Sequence, residues 1–326
     1  MPDLTRRSVL AALLQPPART LGVAFLGVAH SHARAKFDLV RADSRYRLLG
    51  VAEDNPQLRS TYAQLGAPIL GRGELLARAD VELVVVESEV PRHERDGLDA
   101  LNAGKHVHLE KPPSDNRDGM RALVAAARRS GRLMQLGYMW RHHPGIQRLL
   151  EVARSGALGD VYLVRGTMNT LIDAAGRKQW NLFPGGQMFE QGCHLLDPIV
   201  RMMGKPVRIQ STLRTHGQFN DTLKDNTLAV LEYPRAMAVV SSSVLQPNAN
   251  AYRALEVFGT KGTAVLRPIE PPVLEIDRVK VELAPFRRYE GDFSELYRCI
   301  TAGQALNVTM DEDLLVQDVL LEASGM

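Results

Sequence analysis

Three side chains in the second half of the sequence have the types and spacing for proton chemistry. Glu190, His194 and Asp197 fall in a stretch whose apolar pattern predicts a helix over Glu190 to Met203. At about 100° per residue they share a wedge of roughly 60°, while Leu195, Leu196 and Ile199 face the other way. A histidine beside a carboxylate is the arrangement of a general base, the carboxylate fixing the ring's tautomer and raising its basicity. Without a further signal such a polar face is more often simply solvated. Cys193 is adjacent to His194, but neighbours on a helix point about 100° apart, so it reads as a small packed residue and not as a paired thiolate. Trp180, just before this segment, could stack on a sugar ring, although tryptophan is more often core.

A second group lies at the other end of the chain. Gly27-Val28-Ala29-His30-Ser31-His32 follows an apolar run and precedes a helical pattern, the position of a dinucleotide-binding turn, yet only the first glycine of G-x-G-x-x-G is kept. Glu53, at the end of the next apolar run, sits where an acidic side chain accepts hydrogen bonds from an adenosine ribose and repels a 2′-phosphate. The expected cofactor is therefore NAD, with NADP left open because Arg59 is close in sequence. His32 stands where a phosphate would approach, and serves either as a cofactor contact or as packing at the helix start. Gly71-Arg72-Gly73 lacks the third glycine and a following acid, and reads as a loop.

These residues need a scaffold. Leu21 to Val28, Arg47 to Ala52, Leu83 to Val86, His106 to Leu109 and Leu133 to Gly137 are short apolar runs alternating with helical patterns, which predicts an N-terminal Rossmann-like, doubly wound parallel sheet. Asn55-Pro56 opens the second of these helices with a cap and a first-turn proline. After about Tyr138 the rhythm changes. A helix (Gly145 to Ser155) leads to strands at Val161 to Met168, Val207 to Thr215, Asn226 to Glu232, Ala236 to Val244, Ala254 to Phe258 and Thr263 to Leu266, and a last helix covers Asp311 to Ala323. Strands following strands predict a C-terminal domain on a largely antiparallel open sheet, an α/β plus α+β chain. The expected division is 1–20 leader or tail, 21–137 cofactor domain and 138–326 substrate-binding and oligomerisation domain.

Two long motifs then give the reading a name. Ala100 to Pro112, ALNAGKHVHLEKP, resembles the "ALxAGKHVxxEKP" signature of the Gfo/Idh/MocA (glucose-fructose oxidoreductase, inositol dehydrogenase, rhizopine catabolism) family, and Gly185 to Asp197, GGQMFEQGCHLLD, resembles its "GGGxxxDxGxHxxD". Shorter echoes run in the same order: Ser88 to His93 for "TPxxxH", Gly137-Tyr138 with Arg141 and Pro144 for "GYxxRxxP", and Gly259 to Gly262 for "GTKG". The resemblance implies an NAD(P)-dependent oxidoreductase acting on a secondary hydroxyl of a sugar, cyclitol or related polyol. It implies that Lys111 hydrogen-bonds the hydroxyl being oxidised, with His194 as base and Glu190 beside it. Substrate contacts are then Lys111, Trp180, Glu190, His194 and Asp197. Cofactor contacts are Gly27, Ala29, His30, Ser31, His32, Glu53, Ser88, His93, Glu110, Lys111 and Arg141. Glu190 replaces the family's usual aspartate, a longer reach that puts the substrate class in question more than the reaction. Two alternatives stand beside this reading: a redox-neutral, NAD-dependent glycoside-cleaving enzyme of the same family, and a non-catalytic dinucleotide-binding protein, which the eroded glycine loop suggests.

Composition narrows the partners. The chain has 326 residues, 45% hydrophobic and 24% charged, with 40 basic against 37 acidic residues interspersed, so no phosphate-tracking stripe exists and nucleic acid is not expected. No apolar run is long enough to span a bilayer. Two cysteines cannot build a disulfide scaffold, and the pairs His30/His32, His106/His108 and His142/His143 lack a third ligand at fixed local spacing, so no metal is expected. Thr5-Arg6-Arg7-Ser8-Val9-Leu10 and the short apolar stretch after it resemble a twin-arginine export signal, giving a periplasmic location if functional and a cytoplasmic one otherwise. By the family resemblance, the expected assembly is a homodimer or homotetramer through the open face of the antiparallel sheet.

Overall fold

A computed structural model describes residues 19–326, so the export-signal expectation lies outside the described residues. The first half is a five-stranded parallel sheet: β1 (Leu21–Leu26), β2 (Tyr46–Ala52), β3 (Leu83–Val86), β4 (His106–Leu109) and β5 (Met134–Leu136), in the order β2-β1-β3-β4-β5. Every residue of β1, β3 and β5 is buried, as strands covered on both faces require. Each large apolar side chain placed there contributes about 1.5–3 kcal/mol by leaving water. The covering helices are α1 (Ala33–Ala42), α2 (Pro56–Gln64), α3 (Arg72–Ala77), α4 (His93–Asn102) and α5 (Arg117–Ser130). The Asn55 side chain caps α2 by accepting from the N–H groups of Gln57 and Leu58. The Gly71-Arg72-Gly73 loop expectation is corrected: Gly71 caps α3, and the Glu74 carboxylate accepts from its N–H at 3.3 Å. Six residues are too few to show helical periodicity.

The second half opens with α6 (Pro144–Arg154), β6 (Val161–Asn169) and α7 (Ala174–Trp180). A π-helical turn (Met188–Gly192) then runs directly into α8 (Cys193–Met203). The remaining strands are β7 (Arg208–Arg214), β8 (Asn226–Tyr233), β9 (Ala236–Ser243), β10 (Ala254–Gly259), β11 (Thr263–Leu266), β12 (Leu274–Ile276) and β13 (Val279–Val281). Their order is β13-β12-β11-β10-β6-β9-β8-β7, antiparallel throughout except for the parallel β6–β9 pair. The inner face buries Val164, Ala229, Leu231, Ala238, Val240, Leu255 and Val257, and α8 covers it with Leu195, Leu196 and Ile199. Opposite it, Leu163, Val230, Val239, Leu228 and Met237 alternate outward, the last two 41% and 52% exposed.

Besides α3, four more described elements lie beyond the sequence reading: α7, the two strands of the short β12–β13 hairpin, and α9 (Glu290–Ala302), which precedes α10 (Met310–Ala323). Both C-terminal helices return to the first half. The Tyr46 hydroxyl donates to the Phe293 carbonyl, Gln135 Nε2 donates to Glu295 at 2.8 Å, and Gln317 Nε2 donates to the Ser114 carbonyl at 2.6 Å. No described helix is long and apolar enough to cross a membrane.

Candidate active site

The strand order reverses at β1, with β2 on one side and β3 on the other, and ligands of doubly wound sheets bind beyond the carboxyl ends of such strands. The two loops leaving there are tied together: the His30 N–H donates to the Glu87 carbonyl at 2.9 Å. Gly27 makes the approach possible. Its φ is +76°, and a Cβ on it would stand 2.5 Å from Ser88 Cα. The Glu53 carboxylate accepts from the N–H groups of Val28 and Asn55, both at 2.8 Å, which fixes it beside the turn. Helix α1 starts without a side-chain cap and without an acid in its first turn; the Ala33 N–H donates to the His30 carbonyl, and the N–H groups of Arg34 and Ala35 remain for an anion. The buried Ser88 hydroxyl has no partner among the described residues. This set fits a dinucleotide: an open helix terminus for the pyrophosphate, a fixed carboxylate for the ribose and a free hydroxyl along the path between them.

A first prediction follows from the loop. Gly27→Ala combines left-handed strain of about 1–2 kcal/mol with a backbone clash, so it should weaken NAD binding by about tenfold or more. Calorimetric titration of wild type and variant with NAD measures this; equal affinity would show that the turn does not set the cofactor's approach.

Past β4 comes Glu110-Lys111-Pro112. Lys111 is 1% exposed, and its ammonium donates to the Glu190 carbonyl at 2.9 Å and to Glu190 Oε1 at 3.0 Å. Burial opposes that charge, but the carboxylate of Glu190 outweighs it and holds Lys111 above its ordinary value. Burial would likewise raise Glu190, and Lys111 overrides this, holding the carboxyl below its usual range. The π-helical turn matters here. Its wider bonding presents the Glu190 carbonyl to side chains, so one residue offers Lys111 both a backbone and a side-chain acceptor. The same carbonyl accepts from Cys193 Sγ at 3.3 Å, and burial pushes that thiol up to about 12, which makes it inert.

His194 is 2% exposed, with its ring 5.2 Å from that of Trp140, and its Nδ1 has no partner among the described residues. Burial first, then Lys111, hold its pKa well below the ordinary histidine value, so the ring is neutral. The expected carboxylate beside His194 is therefore corrected. Glu190 is engaged with Lys111, because the π turn breaks the even helical spacing on which the shared wedge depends. Asp197 is taken by Arg141, whose Nε and Nη2 donate to its Oδ1 at 2.9 and 2.7 Å. Arg141 also reaches Asp313 of α10 at 2.7 Å. Arg141 and Asp197 thus form a buried clamp between elements. Trp180 closes α7 half-buried, and no contact joins it to Lys111 or His194. His93 bridges the carbonyls of Pro112 and Ser88 at 2.8 and 3.0 Å, so it braces the two loops.

The sequence reading missed Lys36. It lies fully buried on α1, within the Ala33, Phe37 and Val40 stripe, and a lysine at that position of an apolar stripe is the signal that marks it. Its ammonium donates to Glu87 Oε1 at 2.5 Å and to Glu110 Oε2. Glu87, an acid without an evident role in the sequence, is one side of this buried triad. Burial, only partly opposed by Lys36, pushes Glu87 up to about 7. Burial would raise Glu110 too, but Lys36 and His32 hold it well below the usual carboxylate range. The fold also brings His30, His32 and Glu110 within 4.8 Å of one another, the third ligand that local spacing lacks. Glu110 Oε2 is bonded to Lys36, and its Oε1 accepts from the Lys111 N–H at 2.9 Å, so this carboxylate already belongs to an ion-pair network.

The comparisons with known proteins agree with this geometry. Residues 21–138 match the oxidoreductase family, NAD-binding Rossmann fold, and residues 146–265 match the GFO/IDH/MocA C-terminal domain. A trans-1,2-dihydrobenzene-1,2-diol dehydrogenase of Bos taurus is 32% identical over 59% of this chain and 57% of its own length. An inositol 2-dehydrogenase/D-chiro-inositol 3-dehydrogenase of Shouchella clausii is 36% identical over 33% of this chain and 32% of its own. Among solved structures, the aldose-aldose oxidoreductase of Caulobacter crescentus complexed with glycerol superposes with a TM-score of 0.81 at 24% identity, covering 94% of this chain and 98% of that one. GenD2 from gentamicin A biosynthesis, in complex with NAD, gives 0.78 at 22% identity over 94% and 93%. With both halves matched in order, the chain belongs to the Gfo/Idh/MocA family of oxidoreductases, and its first half is the NAD-binding Rossmann domain of that family.

Proposed function

We propose that the protein is an NAD-dependent dehydrogenase oxidising a secondary hydroxyl of a sugar, cyclitol or related polyol. The observation that carries this reading is the buried Lys111 ammonium, fixed by both acceptors of Glu190 beside a neutral His194 with a free ring nitrogen. Lys111 donates to the hydroxyl oxygen and stabilises the alkoxide as it forms, and His194 accepts from the hydroxyl as base. The bound cofactor supplies the hydride acceptor. Glu53 favours NAD over NADP, because a fixed carboxylate repels a 2′-phosphate. The names of the relatives, a dihydrodiol dehydrogenase and an inositol dehydrogenase, support a substrate rich in hydroxyls. The test is a polyol and sugar panel assayed for reduction of NAD and of NADP. NADH formation with one class of polyol is expected; a protein that binds NAD and reduces it with none would overturn the reading, and turnover of an aryl glycoside without net NADH would replace it with the redox-neutral one.

The open sheet face pairs two copies into a homodimer, with a tetramer reached by repetition. Leu163, Val230, Val239, Leu228 and Met237 form an apolar patch there, flanked by Arg165 and Glu232. Met237→Glu together with Val239→Arg should give monomers in native mass spectrometry where the wild type gives dimers or tetramers. A wild-type monomer would contradict the pairing.

A further inference from the structure

Two acceptors face the hydroxyl's proton in this site: His194 directly, and Glu190 through the Lys111 ammonium. Only the second leads on. A protonated His194 would stand beside the Lys111 ammonium in a buried pocket, so it cannot retain the proton.

From Glu190 a line of buried groups crosses the interior. His30 Nε2 lies 3.9 Å from Glu190 Oε1, and its Nδ1 lies 3.8 Å from Glu87 Oε2, a buried oxygen without a partner. In the tautomer with its proton on Nδ1, His30 presents a lone pair to Glu190 and a donor to Glu87, and the His32 N–H lies 3.3 Å from Nδ1. Each carboxylate is about 1 Å beyond a hydrogen bond, so a small swing of the ring closes either contact in turn. Past Glu87, the Lys36 ammonium bonds both Glu87 and Glu110, and His32 Nδ1 lies 3.2 Å from Glu110 Oε2. His32 is partly exposed and lines a cavity of about 910 Å³ whose wall includes the solvent-exposed Asp38. The other titratable group packed against His30 is His93, with ring centroids 5.9 Å apart, locked on two carbonyls.

We propose that His30 and Glu87 form a proton relay carrying the hydroxyl's proton from Lys111 and Glu190 to the cavity at His32. The inference rests on the reading that a hydroxyl is oxidised at Lys111. The substrate O–H bond breaks as an N–H bond forms on His194; that bond breaks as a new N–H bond forms on Lys111, while another N–H bond of that ammonium breaks toward Glu190. Glu190 passes the proton to His30 Nε2, and His30 releases one from Nδ1 to Glu87. By the same exchange through Lys36 it reaches Glu110, then His32 and water. The electron pair of the substrate C–H bond leaves with the hydride, so the substrate is oxidised, NAD is reduced, and one proton is discharged. Buried carboxylates cannot repeat a turnover without such an outlet.

The first test needs no turnover. In the cofactor-free protein the Lys111 ammonium is sealed from water, so its protons exchange with solvent through the relay. Water-exchange NMR of lysine labelled with nitrogen-15 should show this exchange slowed about 10²-fold in His30→Gln and in Glu87→Gln, and restored by Glu87→Asp, which keeps the carboxylate. Unchanged exchange in both glutamine variants overturns the relay. In the holoenzyme, an indicator dye in a single turnover should show proton release lagging NADH formation in both variants and coinciding with it in wild type; coincidence in the variants also overturns it. If no polyol yields NADH, the dehydrogenase reading fails, while the exchange measurement still decides whether the relay exists.

Discussion

Lys111→Met should lower turnover by roughly 10³-fold while NAD still binds, because a fixed cation aimed at a developing alkoxide is the largest single source of rate in such a site. The replacement also leaves the Glu190 carboxylate buried without its counter-charge, at a cost of about 3–5 kcal/mol. The two effects separate in the double variant Lys111→Met/Glu190→Gln, which should regain most of the stability and none of the activity. Lys111→Arg should not restore turnover either, since a planar guanidinium cannot place a compact charge between the Glu190 carbonyl and carboxylate. The pair also sets a pH window. Glu190 is lowered in the fold, so its contribution is present above the unfolded value of about 4.3 and is lost as the pH falls through the folded one. Lys111 is raised, so its contribution is present below about 10.4 and is lost as the pH rises through its folded value. Denaturant unfolding of the single and double variants, with kcat and the NAD affinity of each, checks the prediction; a double variant that recovers activity would remove Lys111 from the chemistry.

The second large effect belongs to Lys36. Lys36→Met strands two buried carboxylates, Glu87 and Glu110, and should destabilise the fold by about 3–5 kcal/mol. The loss has a pH signature. Glu87 is already raised in the fold, so between the unfolded value of about 4.3 and about 7 the folded state binds more protons, and stability falls as the pH rises. Without Lys36 the opposing charge is gone and this window extends upward. The variant's deficit should therefore be larger at about pH 8 than at about pH 5, where a proton on Glu87 relieves the crowding. Urea midpoints at the two pH values measure it, and equal deficits would mean that Lys36 does not carry the charge of this triad.

Much of the scaffold was legible. The apolar runs that became β1, β3 and β5 are buried throughout, so they leave an almost unbroken signature, and the hairpin at Gly259 to Gly262 declares itself by its turn residues. Short or half-exposed elements did not show: α3 has six residues, and β12 and β13 have three each. In the candidate site, Lys111, Glu190 and His194 stand out in the sequence because motifs carry them, but their relations do not. Helical periodicity assumes an even turn, and the π turn at Met188–Gly192 re-aims Glu190 toward Lys111 and away from His194. The Asp197 partner, Arg141, is 56 residues away in sequence, and Lys36 lies 74 residues from Glu110. Contacts at such separation depend on how the elements stack, which no local pattern encodes. One further glycine shows the same limit: Gly186 takes φ +47°, with Lys224 pressed against it so closely that a Cβ would stand 2.7 Å from the Lys224 carbonyl oxygen.

If a dehydrogenase works at Lys111, a hydride passes there from a polyol carbon to NAD. The most direct test of this transfer supplies NAD with polyols deuterated at each carbinol carbon and follows the label by mass spectrometry of the nucleotide. One deuterium in NADH from a single labelled carbon is expected, with the transfer lost in Lys111→Met. A protein that holds NAD and turns over a sugar substrate, yet leaves no deuterium in the nucleotide at any time during turnover, would contradict it.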